Sequence, residues 1–309
     1  MSTSTRIIKN TGFLYAKMAI TVFISLYSTR LILNALSASD YGIFNVVGGA
    51  IAMLGFLNAS MAVATQRFMS YSEGEGDIEH IKQIFNNSLI LHVIIALIVG
   101  IILISLKPIL FDYLLNIESA KIDAAKWIYY FMIVSTIFTI VTVPYDATMN
   151  AHENMLYYSI IGIIQSLLNL GCAIIITRVT NDKLIWYGGL MALISMFVLL
   201  IMIVYCKRKY NECLFKPIRY YDKSTMKEIT SFAGWNFIGG AASIISGYGI
   251  GLVLNVFYGT IANAAQGIAN QISGQLGALG SNIKKALNPV ITKSEGAGER
   301  ETIKKSFPE

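Results

Sequence analysis

The sequence predicts an all-α membrane protein, a polytopic bundle of about eight transmembrane helices. Of its 309 residues, 55% are hydrophobic and only 14% are charged, and the mean hydropathy is +0.59. Its apolar runs approach or exceed the length of about 20 residues that a helix needs to cross a bilayer. None shows the alternating pattern of a membrane-barrel strand, so helices are expected. The predicted spans cover 12–36, 42–64, 85–106, 126–144, 155–177, 184–206, 230–256 and 260–282.

The composition also limits the classes of function. A chain this apolar is typical of membrane proteins and not of soluble enzymes, so we expect no enzymatic activity. Its formal net charge of +6 is expected to reflect membrane topology and not nucleic-acid binding. The cysteines have no CxxC or Cys/His spacing, so the sequence predicts neither a disulfide framework nor a metal site. No cofactor is expected.

The distribution of lysine and arginine predicts which side of the membrane each connection faces. The N-terminus, the 65–84 loop, the 207–229 loop and the segment after the eighth span hold most of these residues. By the positive-inside rule, these parts are predicted to be cytoplasmic. The first span is too long for a signal peptide and is expected to be retained. The opposite connections hold only Lys107, Lys121, Arg178 and Lys183.

Cations within or beside the first two spans are the first candidate functional residues. A cation in the bilayer core costs at least about 2.5 kcal/mol, so it normally has a function or a route to the surface. Lys17 lies near the predicted cytoplasmic end, where its stem can reach the headgroups, and a cavity role stays open. Arg30 lies toward the other end without an acidic partner in any span core, which favours an anionic ligand. Arg67 is expected to face either headgroups or the mouth of a cavity.

Proline is expected to end the fourth span. It kinks or ends a helix and restricts the residue before it, so Pro144 predicts a break near Val143. Asp146 and His152 would then lie at the membrane edge, with no catalytic role. All eighteen acidic residues can be placed in loops, tails or helix ends.

Spans seven and eight each predict a small or polar helix face, because such residues recur every three to four positions. For span seven we favour close packing, since small residues let membrane helices approach each other. For span eight, the amides and the nearby Gln271 and Gln275 exceed what packing needs and predict a face lining a hydrated cavity. The faces comprise Asn236, Gly240, Ser243, Gly247 and Gly251 in span seven, and Asn263, Gln266, Asn270, Ser273, Gly277 and Ser281 in span eight.

The basic loop between spans six and seven predicts a division into two lobes. We expect 1–206 to form a six-helix N-terminal lobe and 207–229 to be the cytoplasmic inter-lobe loop. Residues 230–309 would begin a second, incomplete lobe with two helices and a cytoplasmic tail.

Several segments carry a family resemblance: TRLILNALSASDYGIFNVVGG, AVATQRFMS, VPYDATMNAHENM and GWNFIGG…LVLNVFYGTIANAAQGIANQI…ALNPVITKSEG. They resemble polysaccharide and O-antigen flippases of the MATE-like multidrug/oligosaccharidyl-lipid/polysaccharide exporter superfamily. The similarity runs over essentially the whole chain. It implies two six-helix lobes around a cavity that opens alternately to the two sides of the bacterial inner membrane. The implied substrate is a polyprenyl-diphosphate-linked oligosaccharide, and membrane lipids, a polysaccharide polymerase and glycosyltransferases are the implied partners.

The resemblance also implies roles for particular residues. Arg30 matches the arginine of the family's first-helix TR motif, and Arg67 matches the arginine that ends the second helix. Asn255, Asn263 and Gln266 lie in the signature of the seventh and eighth helices. The cations are expected to neutralise the diphosphate while the amides bond sugar hydroxyls. The complete predicted substrate-binding set is Arg30, Arg67, Lys17, Asn236, Asn255, Asn263, Gln266 and Asn270.

The chain departs from this family in length, and other functions stay open. Family members have twelve or more helices, so the chain would be C-terminally truncated, and its isolated form is expected not to transport. One alternative is a multidrug or cation antiporter of the same superfamily. That function would need a membrane carboxylate to bind H⁺ or Na⁺, and the predicted span cores contain none. A second alternative is a non-transporting membrane scaffold or an inactive fragment.

Overall fold

The computed structural model describes residues 3–299, with side chains described outside 3–4, 55–57, 59, 237, 239–246 and 248. The described residues form helices joined by short connections and contain no strand. The α-helices are α1 Thr3–Ala35, α2 Ala38–Ala52, α3 Gly55–Glu75, α4 Ile78–Ile109, α5 Ile122–Ala151, α6 Met155–Arg178, α7 Lys183–Lys209, α8 Pro217–Tyr220 and α9 Lys223–Gly296. A π-helical turn occupies Leu110–Leu114, and 3₁₀ turns occupy Ser119–Lys121 and Asn211–Cys213.

The predicted fold class, an all-α membrane bundle, is confirmed. Within the described residues, six stretches are long and apolar enough to cross a membrane. The second predicted span is divided between α2 and α3, which leaves 15 and 21 residues in the two pieces. The six stretches are Thr5–Ala35, Ile78–Leu114, Ser119–Ala151, Met155–Arg178, Lys183–Lys209 and Gly249–Gly296.

Helix α9 contains both of the last two predicted spans, separated at Gly259. That residue has φ 72° and ψ −168°, a backbone conformation that is essentially restricted to glycine. The Asn263 amide reaches the Gly251 carbonyl oxygen at 2.8 Å, although twelve residues span about 18 Å on a straight helix. The chain therefore folds back at Gly259. We call 223–258 the first arm and 260–296 the second arm.

The predicted break at Pro144 is wrong. Helix α5 continues through Pro144 to Ala151, and Pro144 and Thr148 are buried among neighbouring helices. Proline is tolerated in a membrane helix where neighbouring helices support it, and the burial of Pro144 within the bundle provides that support. Asp146 consequently lies inside a helix and within the bundle.

The segment between α7 and α9 is shorter and more ordered than the predicted 207–229 loop. Helix α7 ends at Lys209, and α9 begins at Lys223 with Asp222 accepting from the Thr225 backbone N–H at 2.7 Å. Residues 210–222, which we call the linker, include α8 and a 3₁₀ turn. The division of the chain into two lobes at this point stays a prediction.

Two hydrophobic cores stabilise opposite ends of the bundle. At one end, which we call the basic end because it carries Lys209 and Lys293, the core includes Phe85 packed edge-on against Tyr145 at 5.4 Å between ring centres. At the other, far end, Phe111 packs edge-on against Tyr129 at 5.6 Å. A polar-lined cavity lies where α1, α2, α6 and α7 face the second arm of α9.

Candidate functional site

An interior cavity with a polar lining has a volume of about 480 Å³ and lies between α1, α2, α6, α7 and the second arm. We call it the central cavity. Hydroxyl, amide and aromatic groups predominate, and none of its described lining residues is charged. They are Thr21, Ile24, Ser25, Ser28, Thr29, Ile32, Tyr41, Phe44, Asn45, Ser166, Asn169, Tyr187, Met191, Gly267, Asn270, Gln271 and Gln275.

Hydrogen bonds between α1 and the second arm hold part of this lining in place. The Thr29 hydroxyl donates to Gln271 Oε1 at 2.8 Å, and Gln271 Nε2 donates to the Ser25 hydroxyl at 2.6 Å. By contrast, Ser28 Oγ and Asn169 Oδ1 are buried without a hydrogen-bond partner among the described residues. Buried polar atoms are normally paired. Both residues line the cavity, and these two atoms are buried, unpaired polar groups within its wall.

A second cavity of about 240 Å³ adjoins the central cavity between α2 and α9. Asn270 and Asn45 line both cavities, and Gln266 lines the second. Gln266 Nε2 donates to Asn270 Oδ1 at 3.0 Å, while Asn45 Nδ2 donates to the Tyr41 carbonyl at 2.8 Å. The two cavities thus share one amide-rich, uncharged wall.

The predicted amides fall into different structural roles. Gln266 and Asn270 line cavities, whereas Asn255 is fully buried and accepts from the Asn116 backbone N–H at 2.7 Å. Asn263 also lines the second cavity, but its amide braces the two arms by donating to the Gly251 carbonyl and accepting from the Asn255 backbone N–H at 3.3 Å. Asn236 donates to the Phe232 carbonyl on its own helix at 3.0 Å.

The two predicted arginines lie outside both cavities. Arg30 is exposed and is absent from both linings, although the preceding residue, Thr29, lines the central cavity. Consecutive residues of a helix point about 100° apart, so Thr29 faces the cavity while the Arg30 side chain points away from it. Arg67 is exposed, and its guanidinium lies 4.5 Å from the Phe232 ring centre, which joins α3 to the first arm.

Lys17 turns inward between the helices, and the cavity role that the sequence left open for it stays a prediction. Lys17 lines a third cavity of about 220 Å³ with Asp146, Tyr158 and Gln165, toward the basic end. Its ammonium lies 4.2 Å from the Tyr158 ring centre. The stem rests on Gly162 of α6, where any added Cβ would overlap Lys17 Cε. The absence of a side chain at Gly162 of α6 therefore leaves room for the Lys17 side chain.

Lys285 completes the charged group and was not predicted from sequence, where it was counted among the loop cations. Its ammonium lies 3.4 Å from the Tyr158 ring centre and 3.3 Å from Asp146 Oδ2. The ammonium groups of Lys17 and Lys285 thus both contact the Tyr158 ring. The Asp146 carboxylate of α5 pairs with Lys285 of the second arm. We call Lys17, Asp146, Tyr158 and Lys285 the lysine cluster. Its formal charge is positive, so it can attract an anionic group.

A separate ionic network ties helices together at the basic end. His152 contacts Glu73 of α3 at 3.2 Å and Glu212 of the linker, and its ring stacks on Tyr210 at 4.3 Å between centres. Lys293 of the second arm contacts Glu73 at 3.3 Å. Burial opposes protonation of the imidazole, but the hydrogen bonds and charges of Glu212 and Glu73 dominate and raise the pKa of His152 to about 9.

This network predicts a loss of stability at alkaline pH. A raised folded-state pKa means that the stabilisation is fully present below about pH 6.5 and disappears as the pH rises through about 9. We expect the protonated network to contribute on the order of 1–3 kcal/mol to the free energy of unfolding. Partial exposure of the imidazole keeps this contribution modest, because solvent screens the charges. Unfolding temperatures measured from about pH 6 to about pH 10 should fall less steeply in His152→Gln than in the unmodified chain. Parallel pH profiles for the two proteins would contradict this assignment.

Comparison with known proteins identifies the family. The MatE family profile matches residues 14–175, while no curated protein sequence matches significantly. The fold is similar to that of the MATE multidrug transporter DinF-BH, with TM-score 0.85 and 15% identity over 99% of this chain and 69% of that one. A mutant of the Vibrio cholerae MATE transporter VcmN gives TM-score 0.78 and 16% identity over 98% and 68%.

A third similar structure is a MOP superfamily transporter from Pyrococcus furiosus, with TM-score 0.81 and 13% identity over 99% of this chain and 68% of that one. It is described as having a binding pocket of reverse polarity that suggests a different function. The chain spans about two thirds of each of these transporters, and the family profile covers more than half of its length. It therefore belongs to the MatE family of multi-pass membrane transporters.

Proposed function

We propose that this protein serves the movement of a polyprenyl-diphosphate-linked oligosaccharide across the bacterial inner membrane by alternating access, with its N-terminus in the cytoplasm. The transported glycan would serve surface polysaccharide synthesis, between glycosyltransferases and a polymerase. The observation that carries the proposal is the uncharged polar lining of the central cavity. Sugar hydroxyls both donate and accept hydrogen bonds, and so do the hydroxyls and amides of this lining.

Unpaired groups in the lining support a polyhydroxyl ligand. Ser28 Oγ and Asn169 Oδ1 lack partners among the described residues, and Asn270 is exposed at the junction of the two cavities. A change of rotamer at Ser28 or Asn169 would let these groups pair with sugar hydroxyls, which would relieve the cost of leaving a buried polar atom unpaired.

The lysine cluster supports an anionic linkage next to the sugar. Lys17 and Lys285 approach the same ring, and only Asp146 among the four cluster residues is acidic. Opposite charges attract more strongly inside a protein than in water. In this arrangement the diphosphate would lie at the lysines, the sugars would occupy the central cavity, and the polyprenyl chain would remain in lipid.

A multidrug or cation antiporter is the second candidate. DinF-BH is described as a multidrug transporter, and Asp146 places a carboxylate within the bundle, contrary to the sequence expectation. However, Asp146 is paired with Lys285, and the described lining of the central cavity contains no carboxylate. An organic cation would therefore find no free negative charge in that cavity.

Equilibrium binding in nanodiscs tests the proposal. We expect the purified protein to bind a polyprenyl-diphosphate oligosaccharide at least about tenfold more tightly than the same lipid without sugar, a difference of about 1.4 kcal/mol. Asn270→Ala should remove much of this difference. Asn236→Ala is the matched control, because among the described residues its amide donates to the Phe232 carbonyl on its own helix and Asn236 lines neither cavity.

Two results would contradict the proposal. One is preferential binding of an organic cation such as a rhodamine dye over the glycolipid. The other is equal behaviour of Asn270→Ala and Asn236→Ala, since the sugar would then make no use of the cavity wall.

A further inference from the structure

The linker presents apolar side chains on the outer surface of the basic end. Ile218 is fully exposed, and Leu214, Phe215 and Tyr221 are each about half exposed. These residues belong to a connection and not to a membrane span. Exposing so much apolar surface to water is unfavourable, and a contiguous apolar patch usually marks a contact with a partner or a membrane.

Buried contacts hold the linker in this position. Asn86 of α4 is fully buried, its Nδ2 donates to the Leu214 carbonyl at 3.2 Å, and its Oδ1 accepts from the Lys216 backbone N–H at 2.8 Å. The linker residues Cys213 and Tyr220 are buried as well. The outward direction of Phe215 and Ile218 is therefore fixed by the fold.

The same surface is strongly basic. Glu212 is buried against His152, Asp222 caps α9, and Glu228 is the one exposed acid of 207–228. Apolar side chains interleaved with lysine and arginine are typical of the boundary between headgroups and acyl chains. The exposed basic residues of this stretch are Lys207, Arg208, Lys209, Lys216, Arg219, Lys223 and Lys227.

A groove on α7 leads away from two of these cations. Its volume is about 520 Å³, its wall is formed mainly by Phe197, Leu200 and Val204, and it ends at Arg208 and Lys209. The rise from Phe197 to Arg208 is about 16 Å along the helix. That length is close to half of a hydrocarbon core of about 30 Å, which is the depth of one leaflet.

We propose that this edge of the protein binds anionic phospholipids of the adjacent leaflet. The lipid phosphate contacts Arg208 and Lys209, one acyl chain lies in the α7 groove, and Phe215 and Ile218 insert at the headgroup boundary. The lipid is a structural partner and not the transported substrate, so the inference does not depend on the proposed function.

Lipid selectivity provides the first test. In nanodiscs made from phosphatidylcholine and phosphatidylglycerol, we expect phosphatidylglycerol to be retained on the purified protein, as measured by native mass spectrometry. The Arg208→Gln/Lys209→Gln variant should reduce this retention about tenfold. Arg178→Gln/Lys183→Gln is the matched control, because it removes two cations at the far end of α6 and α7. Equal retention in the two variants, or equal retention of the zwitterionic lipid, would overturn the proposal.

Insertion depth provides the second test, which does not depend on lipid selectivity. A spin label at Ile218→Cys is expected to be accessible to oxygen and shielded from a water-soluble nickel complex, whereas a label at Glu228→Cys should show the reverse. The native cysteines are buried, so they interfere little with labelling. An aqueous environment at position 218 would contradict the insertion of Ile218 at the headgroup boundary and overturn the proposal.

Discussion

Replacing both lysines of the lysine cluster is expected to lower the affinity for polyprenyl diphosphates by at least about tenfold. The Lys17→Gln/Lys285→Gln variant removes the two ammonium groups that share the Tyr158 ring. It also leaves Asp146 as an unpaired negative charge, which repels phosphate. The measurement is the dissociation constant for polyprenyl diphosphate in nanodiscs, where tenfold corresponds to about 1.4 kcal/mol.

The opposite sign is expected for Asp146→Asn, which provides a check within the same cluster. Its carboxylate lies 3.3 Å from Lys285 and competes with an anionic ligand for that ammonium, so neutralising it should raise the affinity severalfold. Lys9→Gln is the control, because Lys9 lies on the same helix as Lys17 but is exposed. If Lys17→Gln/Lys285→Gln still loses affinity when combined with Asp146→Asn, the loss comes from the lysines and not from the orphaned acid. Unchanged affinity in that triple variant would contradict the role of the cluster.

A second large effect is expected at Gly42, where α2 meets the second arm of α9. A Cβ added at this position would overlap the backbone carbonyl of Thr260, which cannot move aside as a flexible side chain could. The nearby Ser39 and Thr260 hydroxyls lie 3.3 Å apart, which shows how closely the two elements approach. Gly42→Ala is therefore expected to destabilise the protein by about 1–3 kcal/mol or to separate α2 from α9.

Thermal unfolding and the distance between spin labels on α2 and α9 would measure this effect. Gly171→Ala on α6 is the matched control, because an added Cβ there meets nothing within 4 Å, and alanine favours a helix by up to about 1 kcal/mol over glycine. Equal unfolding temperatures and unchanged label distances for the two variants would show that the α2 contact tolerates a side chain.

The helical architecture could be predicted because it depends on local properties of the chain. The thickness of the bilayer sets the length of each apolar run. Such a run can be recognised in the sequence without knowing which helices pack against it. The amide face of span eight follows from helical periodicity in the same way. Periodicity could not distinguish Gln266 and Asn270, which line cavities, from Asn263, which also braces the kink at Gly259.

Other features depend on packing between distant parts of the chain. Asp146 and Lys285 are 139 positions apart, and neither residue type nor spacing marks them as partners. Lys17 turns inward because Gly162 on another helix leaves room for its stem. Arg30 is a cation without an acidic partner in the predicted span cores, but only the rotation of α1 within the bundle determines that Thr29, and not Arg30, lines the cavity. Pro144 failed as a helix terminator because buried neighbours support α5 there.

Photocrosslinking from the central cavity tests the central claim most directly. Phe44 lines the central and second cavities, whereas Phe23 on α1 is 76% exposed on the outer surface of the bundle. A photoreactive phenylalanine analogue at position 44, in membranes containing a glycan-labelled polyprenyl-diphosphate oligosaccharide, is predicted to capture the glycan. The same analogue at position 23 should capture little of it. Equal labelling from both positions, or capture of an organic cation but not the glycan at position 44, would contradict the assignment of the cavity to a lipid-linked sugar.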